Sequence, residues 1–400
     1  GAQAQTVADE TAVELTRRSD TAEVADVSLD VQESTSILGF TRDVLAIGVD
    51  GDLGNDRITL TGAGDVRGLV EKDNSFAQLT GLAEIAALSA DIDTTRADVF
   101  RVEGGFGANV LTLEGDLVVD ARAETRQLEL SLPSTGGSSE PVELSLASDL
   151  YAAALGLTSS LGRSTTTNSG ALTVGSTADF LRADFSIDGA GIDLQSLLRR
   201  SDALAIGLAG DRYPDTLTNE LGGAITTTAT SNISVTGISL QAAKVAGAED
   251  ASQASAISAA IAAGQGNATL ANKGSLTANA SSSVSETDIA AAVKELSPPS
   301  SLLPEFEEKS FSLAVATGMD GGLGADYVTN EGSIGLDAFA NFNQLGIEVT
   351  DGGVSSDAIV TIIDRFGAEE SEEDLREGAI AEIVGLRGDE RSEAGAAPIR

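Results

Sequence analysis

The chain has no cysteine, no histidine, no tryptophan and a single methionine in 400 residues. Without histidine or cysteine it lacks the commonest general base, the nucleophilic thiol and the soft metal ligands. Ser-His-Asp, Cys-His and zinc chemistry are excluded. Carboxylate chemistry and oxygen-ligand metals remain open. Aromatics are few, with 11 Phe and 3 Tyr, so stacking platforms for sugars are scarce. Only five residues are Lys, and the formal charge is −38. Such a surface repels nucleic acid and anionic lipid and attracts divalent cations. No apolar run approaches the ~20 residues that cross a bilayer as a helix. Residues 1–5, GAQAQ, contain an A-x-A pattern that reads either as the end of a signal peptide or as an ordinary terminus. Zero cysteine is compatible with secretion without disulfides.

What the sequence does have is 44 glycines arranged in a repeat. The segments are GNDRITLTGAGDV (54–66), GANVLTLEGDLVV (107–119), RSTTTNSGALTV (163–174), YPDTLTNELGGAIT (213–226), GNATLANKGSLTA (266–278) and GADYVTNEGSIGL (324–336). They share G-x-D-x-Φ-T-N-x-G-x-Φ, with Φ apolar. The pivots Leu60, Leu113, Asn168, Asn219, Asn272 and Asn330 stand 53, 55, 51, 53 and 58 residues apart. A period near 54 held over six copies is the signature of a solenoid, whose units bury their apolar faces only by stacking.

Each copy opens with an alternating run, such as DVLAIGV or DALAIGL, followed by a Gly-rich turn and the shared strand. A small-residue stretch such as TTTATSNISVTGISL then leads away. Period-2 alternation reads as half-buried strand. The fold class expected is all-β dominated, a parallel β-helix of about six repeats of ~54 residues. By length, one unit makes either two turns of a three-sided helix or one turn plus an excursion. Segments 74–92, 193–200, 250–263 and 286–296 read as short helical excursions. The organisation expected is an acidic segment at 1–40, the array at 41–350, and a helical, acidic segment at 351–400. Both end segments read as solenoid caps or as assembly segments. The phase places Ile58, Leu111, Leu217 and Val328 at equivalent inward positions of one sheet.

The turns carry the candidate chemistry. GGLGADYVT (321–329) fits the nonapeptide GGxGxDxUx of calcium-binding β-roll proteins; DGDLGNDRIT (50–59) and GGFGANVLT (104–112) are close. The candidate calcium ligands are Asp50, Asp52, Asp56 and Asp326. The alternative is a tight turn in which glycine supplies φ > 0 and the aspartate caps its own backbone. Asn168, Asn219, Asn272 and Asn330 recur in phase and can stack as a hydrogen-bonded ladder. Gly62, Gly115, Gly170, Gly222, Gly274 and Gly332 follow the pivots and mark bends. A lyase or glycosidase site usually wants Arg or Lys near its carboxylates, and the adjacent basic pairs, Arg17-Arg18 and Arg199-Arg200, lie outside the repeat.

The pattern over residues 41–350 resembles repeats of bacterial surface β-solenoids, such as autotransporter passengers and large adhesins. That resemblance implies export, a right-handed parallel β-helix, and adhesion or fibre formation. The function expected is a non-enzymatic structural subunit of an extracellular filament, sheath or surface layer, partnered head to tail by copies of itself. The alternatives are a monomeric adhesin that binds surface glycans and, third, a carbohydrate-active enzyme.

Overall fold

The computed structural model describes residues 11–16, 21–24, 27–35, 42–50, 54–78, 88–89, 93–103, 106–131, 142–158, 162–187, 192–240, 249–292, 310–351, 358–366 and 378–387. The chain winds through three strands per coil. The first coil is β1 (Thr11–Thr16), β2 (Thr21–Val24) and β3 (Val27–Thr35); the second is β4 (Arg42–Asp50), β5 (Arg57–Leu60) and β6 (Gly64–Gln78). After the two-residue β7 (Leu88–Ser89), the third is β8 (Asp93–Glu103), β9 (Val110–Leu113) and β10 (Asp116–Ser131). The fourth is β11 (Val142–Thr158), β12 (Thr165–Asn168) and β13 (Ala171–Ile187), and the fifth is β14 (Ile192–Ala209), β15 (Thr216–Asn219) and β16 (Ala224–Leu240). The sixth is β17 (Glu249–Ala262), β18 (Thr269–Asn272) and β19 (Ser275–Ala292), and the seventh is β20 (Phe311–Asp320), β21 (Tyr327–Asn330) and β22 (Ser333–Asp351). Two more strands follow, β23 (Ala358–Phe366) and β24 (Gly378–Arg387).

Corresponding strands pair in parallel and in order. Sheet A runs β1-β4-β8-β11-β14-β17-β20-β24, sheet B runs β2-β5-β9-β12-β15-β18-β21, and sheet C runs β3-β6-β10-β13-β16-β19-β22-β23. Only β23 departs, pairing antiparallel with β22. The expected parallel β-solenoid is therefore the fold, with one coil per ~54-residue unit rather than two.

No described residue is helical, which corrects the expected excursions. Residues 193–200 lie in β14, 250–263 fall almost wholly in β17, and 286–292 end β19. In the segment 74–92, residues up to Gln78 belong to β6 and Leu88–Ser89 form β7; the rest lies outside the described residues. The C-terminal segment expected as helix likewise contributes strands β23 and β24, and residues 11–35 of the N-terminal segment form a first coil on the same three sheets. Alanine-rich runs favour helix locally, but here they fill a specific tertiary slot that overrides propensity.

That slot lies between sheets A and C. Ala97, Ala152, Ala203, Ala256 and Ala314 pair in one inward column of sheet A, each no more than 2% exposed. Opposite, sheet C offers Ala121, Ser176, Ala229 and Ala280 in one column and Ala123, Ala178, Ser231 and Ser282 in the next, all buried. Facing Cα atoms of β14 and β16 come within 8 Å, closer than the ~10 Å usual for packed sheets. Buried hydroxyls cross the gap to backbone carbonyls: Ser176 to Ala152 at 2.7 Å, Ser201 to Ala178 at 3.0 Å, and Ser231 to Ser201 at 2.7 Å. Towards sheet B the core widens. Leu157, Leu208, Ile261 and Met319 stack on one wall; Leu117, Leu172, Ile225 and Leu276 stack on another.

Sheet B closes the wide end with four-residue strands. Ile58, Leu111, Thr166, Leu217, Leu270 and Val328 form one inward column, so the four positions equated by the period do share a face. The turn after this sheet needs glycine for space. A Cβ on Gly170 would sit 2.0 Å from the Gly115 carbonyl oxygen, and one on Gly332 would sit 2.0 Å from that of Gly274. Gly170→Ala should therefore force apart two coils and lower unfolding free energy by about 1–3 kcal/mol, the usual scale of overpacking. Chemical denaturation would measure it, and an unchanged midpoint would contradict the close stacking of these turns.

Candidate functional site

The nonapeptide turns lie between sheets A and B. In GGLGADYVT, Gly322 (φ 71°) and Gly324 (φ 150°) take backbone angles that favour glycine. The aspartate position follows as Asp56, Asn109, Ser164, Asp215, Ala268 and Asp326, one per coil. Its side chain braces the preceding coil. Asn109 Oδ1 accepts the Asp56 N–H at 2.8 Å, Asp215 Oδ1 accepts the Ser164 N–H at 2.9 Å, and Asp326 Oδ1 accepts the Ala268 N–H at 2.7 Å. A second brace lies beside it: Asn55 Oδ1 accepts the Ala108 N–H at 2.8 Å, and Asn267 Oδ1 accepts the Ala325 N–H at 2.9 Å. In the fifth coil Asp211 takes the Tyr213 and Gly162 N–H groups, while the second oxygen of Asp215 takes that of Asp211. These carboxylates and amides satisfy turn N–H groups that the short strands of sheet B leave unpaired.

Of the four candidate calcium ligands, the structure describes the side chains of Asp56 and Asp326, which lie far apart. Asp56 is buried in the second coil and Asp326 is half-buried in the seventh, five strand spacings or about 24 Å apart. Asp50 ends β4, and Asp52 lies outside the described residues. Among the described residues no group of three or more carboxylates is positioned to hold a metal ion. Asp326 Oδ2 is buried without a hydrogen-bond partner among the described residues.

The asparagines of sheet B form a ladder along the solenoid axis. Asn168 Nδ2 donates to Asn219 Oδ1 at 2.8 Å, Asn219 to Asn272 at 2.9 Å, and Asn272 to Asn330 at 2.7 Å. Each link runs in the same direction. At its start, Asn168 Oδ1 is buried and unsatisfied, because the preceding coil offers Leu113 there. The glycine column beside the ladder contains Gly62, Gly115, Gly170, Gly223, Gly274 and Gly332. Gly222 does not stack: the 219–224 turn is two residues longer than its equivalents, and Gly222 (φ 92°) forms its tip beside Leu221, 84% exposed.

Two features were not legible from motifs. Arg199, placed outside the repeat by the sequence, lies inside β14 with its side chain in the core; it meets Glu286 at 3.4 Å and Ser252 at 3.1 Å. Both charged side chains are at most 3% exposed; such a pair fixes packing more than it adds stability. Its neighbour Arg200 faces outwards to Asp202 at 2.7 Å. Burial pushes the Asp202 carboxyl up from its ordinary value, against the pull of Arg200. Tyr151 beside it is likewise raised by burial and then by Asp98, with Arg96 stacked 5.0 Å over its ring.

The second feature is the open end. Inward columns that are sealed in the interior coils stand open at β24. Leu157, Leu208, Ile261 and Met319 are 0–1% exposed, but Leu386, next in that column, is 53% exposed. Ala154, Ala205, Ser258 and Ala316 are fully buried, and Ile383 after them is 57% exposed. Val328, Ile334, Leu336 and Phe342 of the seventh coil are only partly covered. This apolar cross-section, bordered by the free edges of β21 and β24, is the candidate functional site.

The ladder yields a paired expectation. Asn219→Leu should remove the shortest partner of the Asn168 donor and of the Asn272 acceptor, at a cost of about 1–3 kcal/mol. Leu113→Asn, which supplies the missing donor to Asn168, should cost less than the average polar substitution in a core. Denaturant midpoints of both variants would check this; equal losses would mean that the amides do not act as a ladder.

Compared with known proteins, the chain matches no protein-family model, no curated protein and no solved structure.

Proposed function

We propose that this chain is a structural subunit of an extracellular filament, sheath or surface layer, assembling head to tail through the ends of its solenoid. The observation that supports it is the uncovered core at β24, where Ile383 and Leu386 are more than half exposed in columns otherwise buried. At the other end, β1, β2 and β3 continue the three sheets in parallel register, and among the described residues each is paired along one edge. The far end differs, because antiparallel β23 covers the edge of sheet C. Contact between unlike ends does not close on itself and propagates as a fibre. Export rests on the resemblance to bacterial surface solenoids.

Charge opposes this assembly. Copies carrying −38 repel one another, and a Debye length of ~10 Å at 0.1 M salt means that moderate salt screens most of that repulsion. Divalent cations screen further. Calcium belongs to the same reading through the buried Asp326 Oδ2 in turn 321–329.

The test is Ile383→Asp/Leu386→Asp. Both side chains are already exposed in the isolated chain, so its melting temperature should hold. Covering the remaining apolar surface of two such side chains is worth about 1.5–3 kcal/mol, so the concentration for assembly should rise about 10–100-fold. Light scattering and micrographs in EDTA, in sodium chloride and in calcium would read it. A variant that polymerises like the parent removes the end as the site. A parent that stays monomeric in all three removes the filament and leaves the monomeric adhesin.

A further inference from the structure

The outward faces of the two long sheets differ in chemistry. In the fourth to sixth coils, sheet C turns Thr173, Thr177, Thr226, Thr228, Thr230 and Thr277 to solvent, and hydroxyls at such positions hydrate well. Sheet A turns out an apolar stripe instead. Its outward columns contain Leu155 and Ile206 in one, and Leu204, Ile257 and Val315 in the next, with Leu313 in a third. Ile257 is 38% exposed, and the others are half-buried by one another. Of the charges that share the face, Arg96 meets Asp98, Arg200 meets Asp202 and Glu382 meets Arg387, and Asp149 stands exposed beside Arg200.

We infer that the outer face of sheet A is a self-association surface on which a second copy of this chain packs face to face about a two-fold axis near Ile257. The argument has three parts. The first is area. Strands lie about 4.8 Å apart and outward residues about 6.8 Å apart, so each position covers about 33 Å². Five coils by four positions give a flat footprint of about 650 Å², close to the ~800 Å² per partner of a standard interface once side-chain relief is included.

The second part is charge. In β17 and β20 the outward residues Ser255, Ile257, Ala259, Leu313, Val315 and Thr317 carry none, so the centre of the face brings no like charges together, and Asp149, Asp202 and Glu382 stand in the coils on either side. An anionic bilayer is a poorer occupant, since no unpaired cationic rim of the kind that binds anionic lipid borders the stripe among the described residues. The third part is shape. Two copies of one regular sheet share the same row spacing, so their side chains interdigitate as packed sheets do. A two-fold contact uses the same patch on both partners and therefore closes as a pair. The surface is separate from the solenoid ends, and joined with end-to-end growth it makes a filament two subunits wide.

The experiment uses the full chain with the ends blocked, Ile383→Asp/Leu386→Asp, in sedimentation equilibrium at moderate salt. A species of twice the 40.5-kDa chain mass is expected. A monomer at every concentration would overturn the pairing while leaving end-to-end growth untouched. Adding Ile257→Lys should raise the dissociation constant about 100-fold or more, because the change enters twice at the centre of the interface. Ile257→Val should keep the dimer. Ile257 faces outwards, so an unchanged melt of the lysine variant separates lost pairing from lost folding. A lysine variant that pairs like its parent would place the contact elsewhere. In the chain with free ends, Ile257→Lys should halve filament width in micrographs, and filaments of equal width would overturn the inference.

Discussion

The gap between sheets A and C governs the rest of the molecule. With facing Cα atoms within 8 Å, the middle of the coil is filled mainly by alanine and serine, with Leu150 the larger exception in those columns. Small side chains bury little apolar area each, so the sheets gain per residue less than a leucine-rich core would. Length offsets this. In sheets A and C of the fourth to sixth coils, strands of 14–18 residues pair along most of their length with the coil before and the coil after. A buried serine in such a gap is not stranded, because the opposite backbone is near enough to accept its proton, as Ala152 and Ala178 do. The thin core thus explains both the alanine columns and the serines among them.

Much of this was legible in the sequence. The 54-residue period and the alternation of small residues require stacked strands, and the inward positions of Ile58, Leu111, Leu217 and Val328 follow from phase alone. The helices expected over 193–200, 250–263 and 286–296 did not materialise. Composition there, rich in alanine and leucine, is ambiguous between a helix and a strand in a thin core. What decides is the partner across the gap, and that partner lies a full sheet away in sequence. The same long-range dependence hid Arg199, whose Glu286 partner is 87 residues distant. Gly222 was placed in the glycine column because spacing cannot see a two-residue insertion when the next residue, Gly223, is also glycine.

The turns show what the side chains of a calcium-like motif do when a solenoid carries one copy per coil. In a tandem roll the aspartates of adjacent turns face one another. Here one motif occurs per coil, and the residue that occupies its aspartate position varies among Asp, Asn, Ser and Ala. At Asn109, Asp215 and Asp326 it reaches back to an N–H of the previous coil. Sequence therefore locates the turn and its acceptor side chain, while the neighbouring coil decides what that acceptor serves. Amide and carboxylate perform this bracing equally well, which accounts for Asn109 and Asp215 standing at the same position.

A solenoid closes its backbone hydrogen bonds everywhere except at its two ends, and the ends of this one are treated differently. At the far end β23 turns antiparallel and covers sheet C, yet sheet A adds one further strand, β24, whose inward Ile383 and Leu386 are more than half exposed. Ile383 and Leu386 in that strand are larger than the Ala316 and comparable to the Met319 they follow. A strand whose inward face was meant for water would carry polar residues in those columns, as protective edge strands do. Large apolar residues at the last position of a column instead match what an interior coil places there. On the proposed head-to-tail assembly this end is a coil that the next subunit would continue, and the acidic surface around it would set the ionic conditions for that approach.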